Sequence, residues 1–345
     1  TNLCIVAGGA FSVNEFKFGS YSPGRLTLTD GADVQVLPYA QSFGNLNGKG
    51  SELVVANGAK VRVQRLNNAT SGAEVNRTVY FGWTSGYDTA LRIAGGEWTD
   101  RSASGLYFGQ NGQGRLVVED GAVESQNFRA AGAPCSTGVI TSYIHQVGGR
   151  ITASVDGAQG KWASVTAGYN ESHHGHVILE GGVMQTPQLQ GAGGVGYLTA
   201  NGGTVESWWN IDTSYTFIHG FARAEIGAKG LTVDTTKCSA QIAQDFTNMK
   251  GERGVFRKVG AKLLELAPPS KWDVAETRVE EGTLKVVNAD ETLETALVLT
   301  NGATLSMVGA ASTLTLDALA VTDGTIELDA GDTVVVPADR VSLVG

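Results

Sequence analysis

Three histidines, His173, His174 and His176, lie within four consecutive positions and form the densest group of potential metal ligands or catalytic bases. If this segment is a strand, His174 and His176 share one face, and their imidazoles could bind one metal ion. No acidic residue or cysteine lies at a recognisable metal-ligand spacing from them. We therefore expect these residues to be exposed loop histidines, and we predict no metal site.

A pair of carboxylates is the second source of chemistry to consider, because glycosidases need two carboxyl groups at a defined separation. Stacked strands could bring Asp156, Glu180 or Glu206 together. The segments His174–His176 and Asn210–Asp212 resemble the G-H-G and N-T-D motifs of polygalacturonases, but in reverse order and without that family's paired aspartates. A polysaccharide-active enzyme, either a glycoside hydrolase or a lyase, is therefore the alternative function, and its catalytic residues are unknown.

Aromatic side chains form two groups that could stack on sugar rings. Trp83 belongs to the first group, and the adjacent Trp208 and Trp209 lead the second. Neighbouring residues of a strand point to opposite faces, so one of these two indoles would be buried and the other exposed. An exposed ring is a rigid apolar platform for a ligand. Packing in the core is the expected role of any single ring. If the chain has a glycan-binding face, we expect it at Trp208 or Trp209, with Trp83 as the second choice.

Other common binding sites are not expected. The run Gly191–Gly196 matches G-x-G-x-x-G, yet Tyr197 continues it as a strand pattern without the required helix, so no cofactor is predicted. The chain has a net charge of −9 and therefore lacks the excess of basic residues that is typical of nucleic-acid-binding proteins, so no nucleic-acid partner is expected. No run of 18 apolar residues occurs, so no membrane-spanning helix is expected.

The cysteines show no metal or redox spacing. Cys4, Cys135 and Cys238 are far apart and odd in number, and they form no C-x-x-C motif. A free cysteine behaves as a small apolar side chain. We therefore predict that all three are buried and that none forms a disulfide.

A repeated strand–turn–strand unit must position all of these residues. Its clearest copy is Leu26–Val36, where apolar residues alternate on both sides of the turn at Gly31. Further copies are Leu53–Val63, Leu116–Val123 and Leu297–Leu305. The turn glycines at positions 31 and 58 are 27 residues apart, as are those at 121 and 148. A fixed period of this length indicates a repeat architecture.

Stacked turns of a parallel β-helix explain this period, because one unit is too small to bury its own apolar face. A sandwich or barrel of antiparallel hairpins is the alternative, but it imposes no fixed long period. We therefore predict an all-β fold, a single right-handed parallel β-helix over residues 1–345, in agreement with the handedness of parallel crossovers. Leu26, Leu53 and Leu116 precede their turn glycines by five residues and should stack in the interior.

Residues 226–287 resemble the passenger-associated repeat of autotransporters, the autotransporter-associated β-strand unit. Its form is G-x-x-K-x-G-x-G-x-L-x-L, a short loop, and then T-x-V-x-x-G-x-L. The matching residues are Lys258, Gly260, Leu264, Leu266, Thr277, Val279, Gly282 and Leu284. Lys262 stands at the family's second glycine, so that turn need not be tight.

The resemblance implies rungs of a right-handed β-helix in a secreted or surface-displayed bacterial protein, located outside the cell or on its surface. In that family the repeat itself carries no chemistry. The first residue, Thr1, and the strand-like run at 341–345 make us expect a fragment of a longer chain. We expect a structural or adhesive role, with glycans or other host or cell-surface polymers as the partners to test.

Overall fold

The chain folds into two compact units, Thr1–Thr186 with Gln190–Tyr197, and Pro187–Leu189 with Leu198–Gly345. A computed structural model describes residues 2–13, 23–36, 42–46, 50–64, 78–82, 86, 88–102, 104–131, 139–154, 163–169, 173–208, 216–267, 271–287, 290–308 and 311–344. Residues 2, 42–46 and 290–292 are described by their backbone only.

Unit 1 consists of short strands. They are β1 (Asn2–Ala7), β2 (Ala10–Val13), β3 (Gly24–Thr29), β4 (Asp33–Val36), β5 (Ser42–Leu46), β6 (Ser51–Ala56), β7 (Lys60–Val63), β8 (Thr78–Phe81), β9 (Asp88–Asp100), β10 (Gly105–Phe108), β11 (Gln113–Ser125), β12 (Asn127–Ala130), β13 (Ile140–Gln146), β14 (Arg150–Ala153), β15 (Ser164–Ala167), β16 (His173–Leu179) and β17 (Val183–Thr186). The strands β18 (Leu189–Gly191) and β19 (Val195–Ala200) contain the boundaries between the units.

Unit 2 is built in the same way. Its strands are β20 (Thr204–Ser207), β21 (Ile218–His219), β22 (Arg223–Ile226), β23 (Leu231–Asp234), β24 (Ala240–Ala243), β25 (Phe246–Asn248), β26 (Val255–Val259), β27 (Leu263–Leu266), β28 (Trp272–Val279), β29 (Thr283–Val287), β30 (Asp290–Leu299), β31 (Thr304–Val308), β32 (Thr313–Thr322), β33 (Thr325–Glu327), β34 (Thr333–Val335) and β35 (Val341–Val344). One 3₁₀ turn, Ala338–Arg340, precedes the last strand. Among the described residues, no helix is long and apolar enough to cross a membrane.

The strand pairs of unit 1 are parallel, and each strand lies beside its equivalent in the next repeat. Leu53 of β6 lies opposite Leu26 of β3 and Leu91 of β9, and Leu91 lies opposite Leu116 of β11. Since parallel neighbours are about 4.8 Å apart, equivalent side chains form columns. Leu53 and Leu116 are buried and Leu26 is half-buried. The predicted parallel β-helix and its leucine column are confirmed in this unit.

The clearest repeats share a type I′ turn. Asp30 and Gly31 have φ angles of 53° and 74°, and the Ala32 N–H donates to the Thr29 carbonyl at 3.1 Å. Asn57 repeats this geometry with φ of 46°. Positive φ at both central positions defines the turn type and explains the Asp-Gly and Asn-Gly pairs. The turn leads into β4, which pairs in parallel with β2 and β7 and closes no hairpin.

The turn after β13 differs from the prediction by one position. The positive φ falls on Gly149, directly after the expected turn residue Gly148, and in the next repeat it falls on Gly182, the second glycine of the pair Gly181–Gly182. Gly148 is needed for another reason, because a Cβ there would collide with the carbonyl oxygen of Glu119. The first glycine of such a pair therefore permits close packing of turns, and the second provides the turn conformation.

Unit 2 also has parallel pairing and a stacked core. Thr277 of β28 lies opposite Phe256 of β26 and Leu297 of β30. Its hydroxyl, buried among apolar residues, accepts a hydrogen bond from Trp272 Nε1 at 2.8 Å and bonds the Thr295 hydroxyl at 3.0 Å. The parallel β-solenoid is thus confirmed here as well. One continuous β-helix over residues 1–345 stays a prediction.

The described cysteines are free thiols, as predicted for Cys4 and Cys238; Cys135 lies outside the described residues. The prediction of burial is wrong for Cys4, which is exposed, and Cys238 is half-buried. Cys4 lies in β1, which pairs with β3 alone among the described strands. Its neighbours Leu3 and Ile5 are 63% and 60% exposed for the same reason.

Candidate functional site

The three histidines lie on strand β16, so the prediction of exposed loop histidines is wrong. The segment continues the parallel register, with His173 opposite Ile140 of β13. His173 points inward and is fully buried, and neither of its ring nitrogens has a hydrogen-bond partner. His174 and His176 share the outer face, as the strand alternative predicted. Within the described ranges, no group of three or more His, Cys, Asp or Glu side chains is placed to hold a metal ion.

Of the carboxylates considered for catalysis, Glu180 and Glu206 lie in the described part of the chain, and each contacts a neighbouring basic side chain. Glu180 of unit 1 lies 3.0 Å from His145 Nε2. Glu206 of unit 2 is buried and lies 2.7 Å from Lys237 Nζ. Asp156 and the segment Asn210–Asp212 lie outside the described residues. Glu206 therefore forms an ion pair, Glu180 bonds an imidazole, and these two carboxylates belong to different units.

Trp208 is half-buried, and one face of its indole is covered. The Lys237 Nζ lies 4.2 Å from the ring centroid while it also pairs with Glu206. A sugar would have to use the remaining face or displace this ammonium group. Trp209 and Trp83 lie outside the described residues. Glycan binding by these three indoles stays a prediction.

A column of aromatic and cationic side chains runs along the outer face of unit 1. Arg115 of β11 lies opposite Tyr143 of β13, which lies opposite His176 of β16. The Tyr143 and His176 rings stack at 4.9 Å between centroids, and His176 and Tyr197 stack at 4.6 Å. The Arg115 guanidinium carbon lies 5.7 Å from the Tyr143 centroid. We call these four residues the tyrosine–histidine column.

Sequence reasoning missed this column, although a signal for it existed. Each member directly precedes the inward apolar residue of its repeat, and strand alternation therefore turns it outward. These inward residues are Leu116, Ile144, Val177 and Leu198.

Because the rings of the tyrosine–histidine column stack face to face, their faces are covered by their neighbours. The interplanar angles are 21° between Tyr143 and His176 and 22° between His176 and Tyr197, so each ring covers part of the next. The polar groups of the three rings, two phenolic hydroxyls and an imidazole, belong to the ring edges and not to the stacked faces. Together with the Arg115 guanidinium, they form a row of hydrogen-bonding groups on an otherwise apolar support.

Asp100 is a buried acid with a structural role. It is 2% exposed, and its carboxylate accepts hydrogen bonds from the Ser125 hydroxyl at 2.7 Å and the Ser102 N–H at 2.8 Å. Burial raises the pKa of this carboxyl, and the two hydrogen bonds only partly oppose that effect. The network satisfies Asp100 within the core and leaves it no access to an external ligand.

The environment of Lys258 shows what the lysine of the predicted repeat motif does in this chain. Its side chain is fully buried, and its Nζ donates to the carbonyl of Gly260 and to that of Glu281, the latter at 2.6 Å. Burial lowers the pKa of Lys258 to about 8. Gly260 has φ of 83°, whereas Lys262 does not adopt positive φ, which is why a lysine is accepted there. The motif residues thus hold turns together and form no exposed site.

No protein-family model, no curated protein and no solved structure matches this chain.

Proposed function

We propose that this chain is a β-solenoid module of a secreted or surface-displayed bacterial protein, with a structural and adhesive role, and that it binds glycans along the tyrosine–histidine column. The bacterial surface location is supported by the resemblance of residues 226–287 to the autotransporter passenger repeat. The turn-binding role of Lys258 agrees with a repeat that serves the scaffold.

The tyrosine–histidine column carries the glycan-binding part of this proposal. Each strand contributes one polar group, and parallel strands set these groups about 4.8 Å apart. An extended sugar chain offers hydroxyls that donate and accept along its whole length, so several weak contacts act on one ligand. The stacked rings hold Tyr143 and His176 in place before the ligand arrives, which lowers the entropy cost of binding.

Binding without turnover is the expected activity. Glu206 forms an ion pair with Lys237 and Glu180 bonds the His145 imidazole, so both acids are engaged by neighbouring side chains. Glycosidases instead use two carboxyl groups at a defined separation. A reducing-end assay on every sugar that binds tests this point. Release of products that is abolished by changing a single carboxylate would overturn the non-enzymatic proposal.

The binding site is tested with a glycan array, followed by calorimetry on the sugars that bind. Tyr143→Phe and His176→Phe keep the aromatic stack but remove the polar edges, and each should weaken binding about three- to tenfold. Arg62→Gln is the matched control, because Arg62 is exposed and pairs with Asp33. Unchanged affinity in both column variants would overturn the proposed site.

The tryptophans predicted from the sequence are compared in the same experiment. Trp208→Ala, Trp209→Ala and Trp83→Ala should leave the affinity close to that of the original chain if the column is the site. Loss of binding in these variants, with full binding in Tyr143→Phe and His176→Phe, would assign the site to the tryptophans instead.

A further inference from the structure

A second outer group of unit 1 places an arginine between two tyrosine rings. Arg129 of β12 lies opposite Tyr107 of β10, and Tyr169 follows β15, the next strand of the same sheet. The Arg129 guanidinium carbon lies 4.6 Å from the Tyr107 centroid and 4.2 Å from the Tyr169 centroid. We call these three residues the arginine clamp.

The two tyrosines of the arginine clamp differ in exposure: Tyr107 is buried against a further ring, whereas Tyr169 is exposed to solvent. The Tyr80 ring meets the Tyr107 ring edge-on at 5.4 Å, and Tyr107 is only 8% exposed. Tyr169 is 44% exposed. The guanidinium is therefore fixed by a buried ring and bordered by one that solvent and a ligand can reach.

Arg129 differs from the paired arginines of unit 1. Arg25, Arg62 and Arg92 each lie within 4 Å of a carboxylate, whereas no ion pair of the described residues includes Arg129. Its Nε is buried without a hydrogen-bond partner. Arg115 also forms no ion pair among the described residues, but it is exposed and its guanidinium lies against the Tyr143 ring.

We propose that the arginine clamp binds an anionic substituent, a carboxylate or a sulfate, of an acidic polysaccharide. Rings beside a guanidinium leave its in-plane N–H groups to donate to a ligand, and this planar fork matches a carboxylate or a sulfate. The polysaccharide part of this inference rests on the glycan-binding function proposed above, and the clamp defines the class of sugar.

The test compares charged and uncharged forms of one sugar. Calorimetry measures the binding of an oligogalacturonate, of the same oligosaccharide after methyl esterification, and of a sulfated and an unsulfated dextran. The original chain should bind at least one anionic form about tenfold more tightly than its neutral counterpart. The galacturonate pair and the dextran pair distinguish a carboxylate ligand from a sulfate ligand.

Variants of Arg129 test whether the arginine clamp causes the preference for anionic over neutral sugars. Arg129→Gln should abolish it, Arg129→Lys should retain only part of it because a lysine lacks the planar fork, and Arg62→Gln should leave it intact. Thermal unfolding checks that each variant is folded. If Arg129→Gln does not fold, Arg129→Lys, which keeps the positive charge, provides the comparison. A preference that survives in Arg129→Gln, or that Arg62→Gln abolishes equally, overturns the clamp.

The two proposals can fail separately. Equal binding of charged and neutral sugars by the original chain overturns the clamp and leaves glycan binding at the tyrosine–histidine column in place. A chain that binds no glycan, charged or neutral, overturns both proposals.

Discussion

The rings of Tyr143 and His176 stack at 4.9 Å although the two residues are 33 positions apart in the chain. They meet because β13 and β16 are parallel neighbours in register, with Tyr143 opposite His176. A long-range contact of this kind reports directly on the solenoid, since any slip of one residue would turn one of the rings inward.

The stack should contribute to the stability of unit 1. We expect His176→Ala to lower the free energy of unfolding by about 1 kcal/mol, the usual contribution of an aromatic pair, and His176→Phe to leave it nearly unchanged. Urea denaturation measures both. His174→Ala is the matched control on the same strand, because among the rings of the described residues His174 meets that of Tyr197 alone, edge-on at 6.0 Å. An equal loss in the His174 and His176 variants would argue against a special role of the stack.

The leucine column gives a test of the core. Leu53 is 1% exposed between Leu26 and Leu91, so Leu53→Ala should cost about 3 kcal/mol through the cavity it leaves. Leu53→Asp should cost more and should unfold the neighbouring rungs, because it buries an unpaired charge. Thr99→Asp, on the outer face, keeps its charge in contact with water and should change stability little. A native far-UV spectrum and unchanged melting in Leu53→Asp would contradict the stacked column.

Alanine substitutions at two glycines distinguish the destabilisation caused by backbone strain from that caused by a steric clash. Gly58 has φ of 73°, and no atom lies within 4 Å of the position that a Cβ would take there, so Gly58→Ala should cost about 1 kcal/mol. Gly121 has φ of 85°, and a Cβ there would collide with the carbonyl oxygen of Gly96. Gly121→Ala should therefore cost about 3 kcal/mol or more. Similar melting temperatures of the two variants would show that the turns of neighbouring rungs are not in close contact.

Sequence patterns predicted the fold better than the site. Alternation and Gly turns identified the inward leucines, because both follow from local backbone geometry. The tyrosine–histidine column depends instead on which residues of different repeats come into register. Its successive members are separated by 28, 33 and 21 positions, since loops of different length lie between the strands. The arginine clamp has the same origin, because Tyr107 and Tyr169 are brought to Arg129 only by the stacking of three strands.

The cysteines provide a check on the exposed first strand. Cys4 is exposed and Cys238 half-buried, so Cys4 should react with a thiol reagent in the native protein faster than Cys238. In a Cys135→Ala background, Cys4→Ala should remove the fast phase of the reaction, and Cys238→Ala should leave it in place. Mass spectrometry without reduction should show no loss of two daltons. That loss, or a fast phase that persists in Cys4→Ala, would contradict the assignment.

Lys258 should make the stability of unit 2 depend on pH in the alkaline range. Its pKa is lowered from 10.5 to about 8 by burial, so between these values the unfolded chain binds a proton that the folded chain has released. Stability relative to Lys258→Met should therefore rise as the pH increases from about 8 towards 10.5. The neutral amine can still donate to the carbonyls of Gly260 and Glu281, so deprotonation leaves its two hydrogen bonds in place.

Urea denaturation at pH 7.5, 9 and 10.5 measures this difference for the original chain and for Lys258→Met. Other titrating groups are common to both proteins and cancel in the comparison. Lys262→Met is the matched control, because Lys262 is exposed in the same turn and its removal should shift all three values equally. A difference between the original chain and Lys258→Met that stays constant or falls over this range would show that Lys258 remains charged in the folded unit. The buried ammonium would then be held by its carbonyl partners strongly enough to outweigh the cost of desolvation.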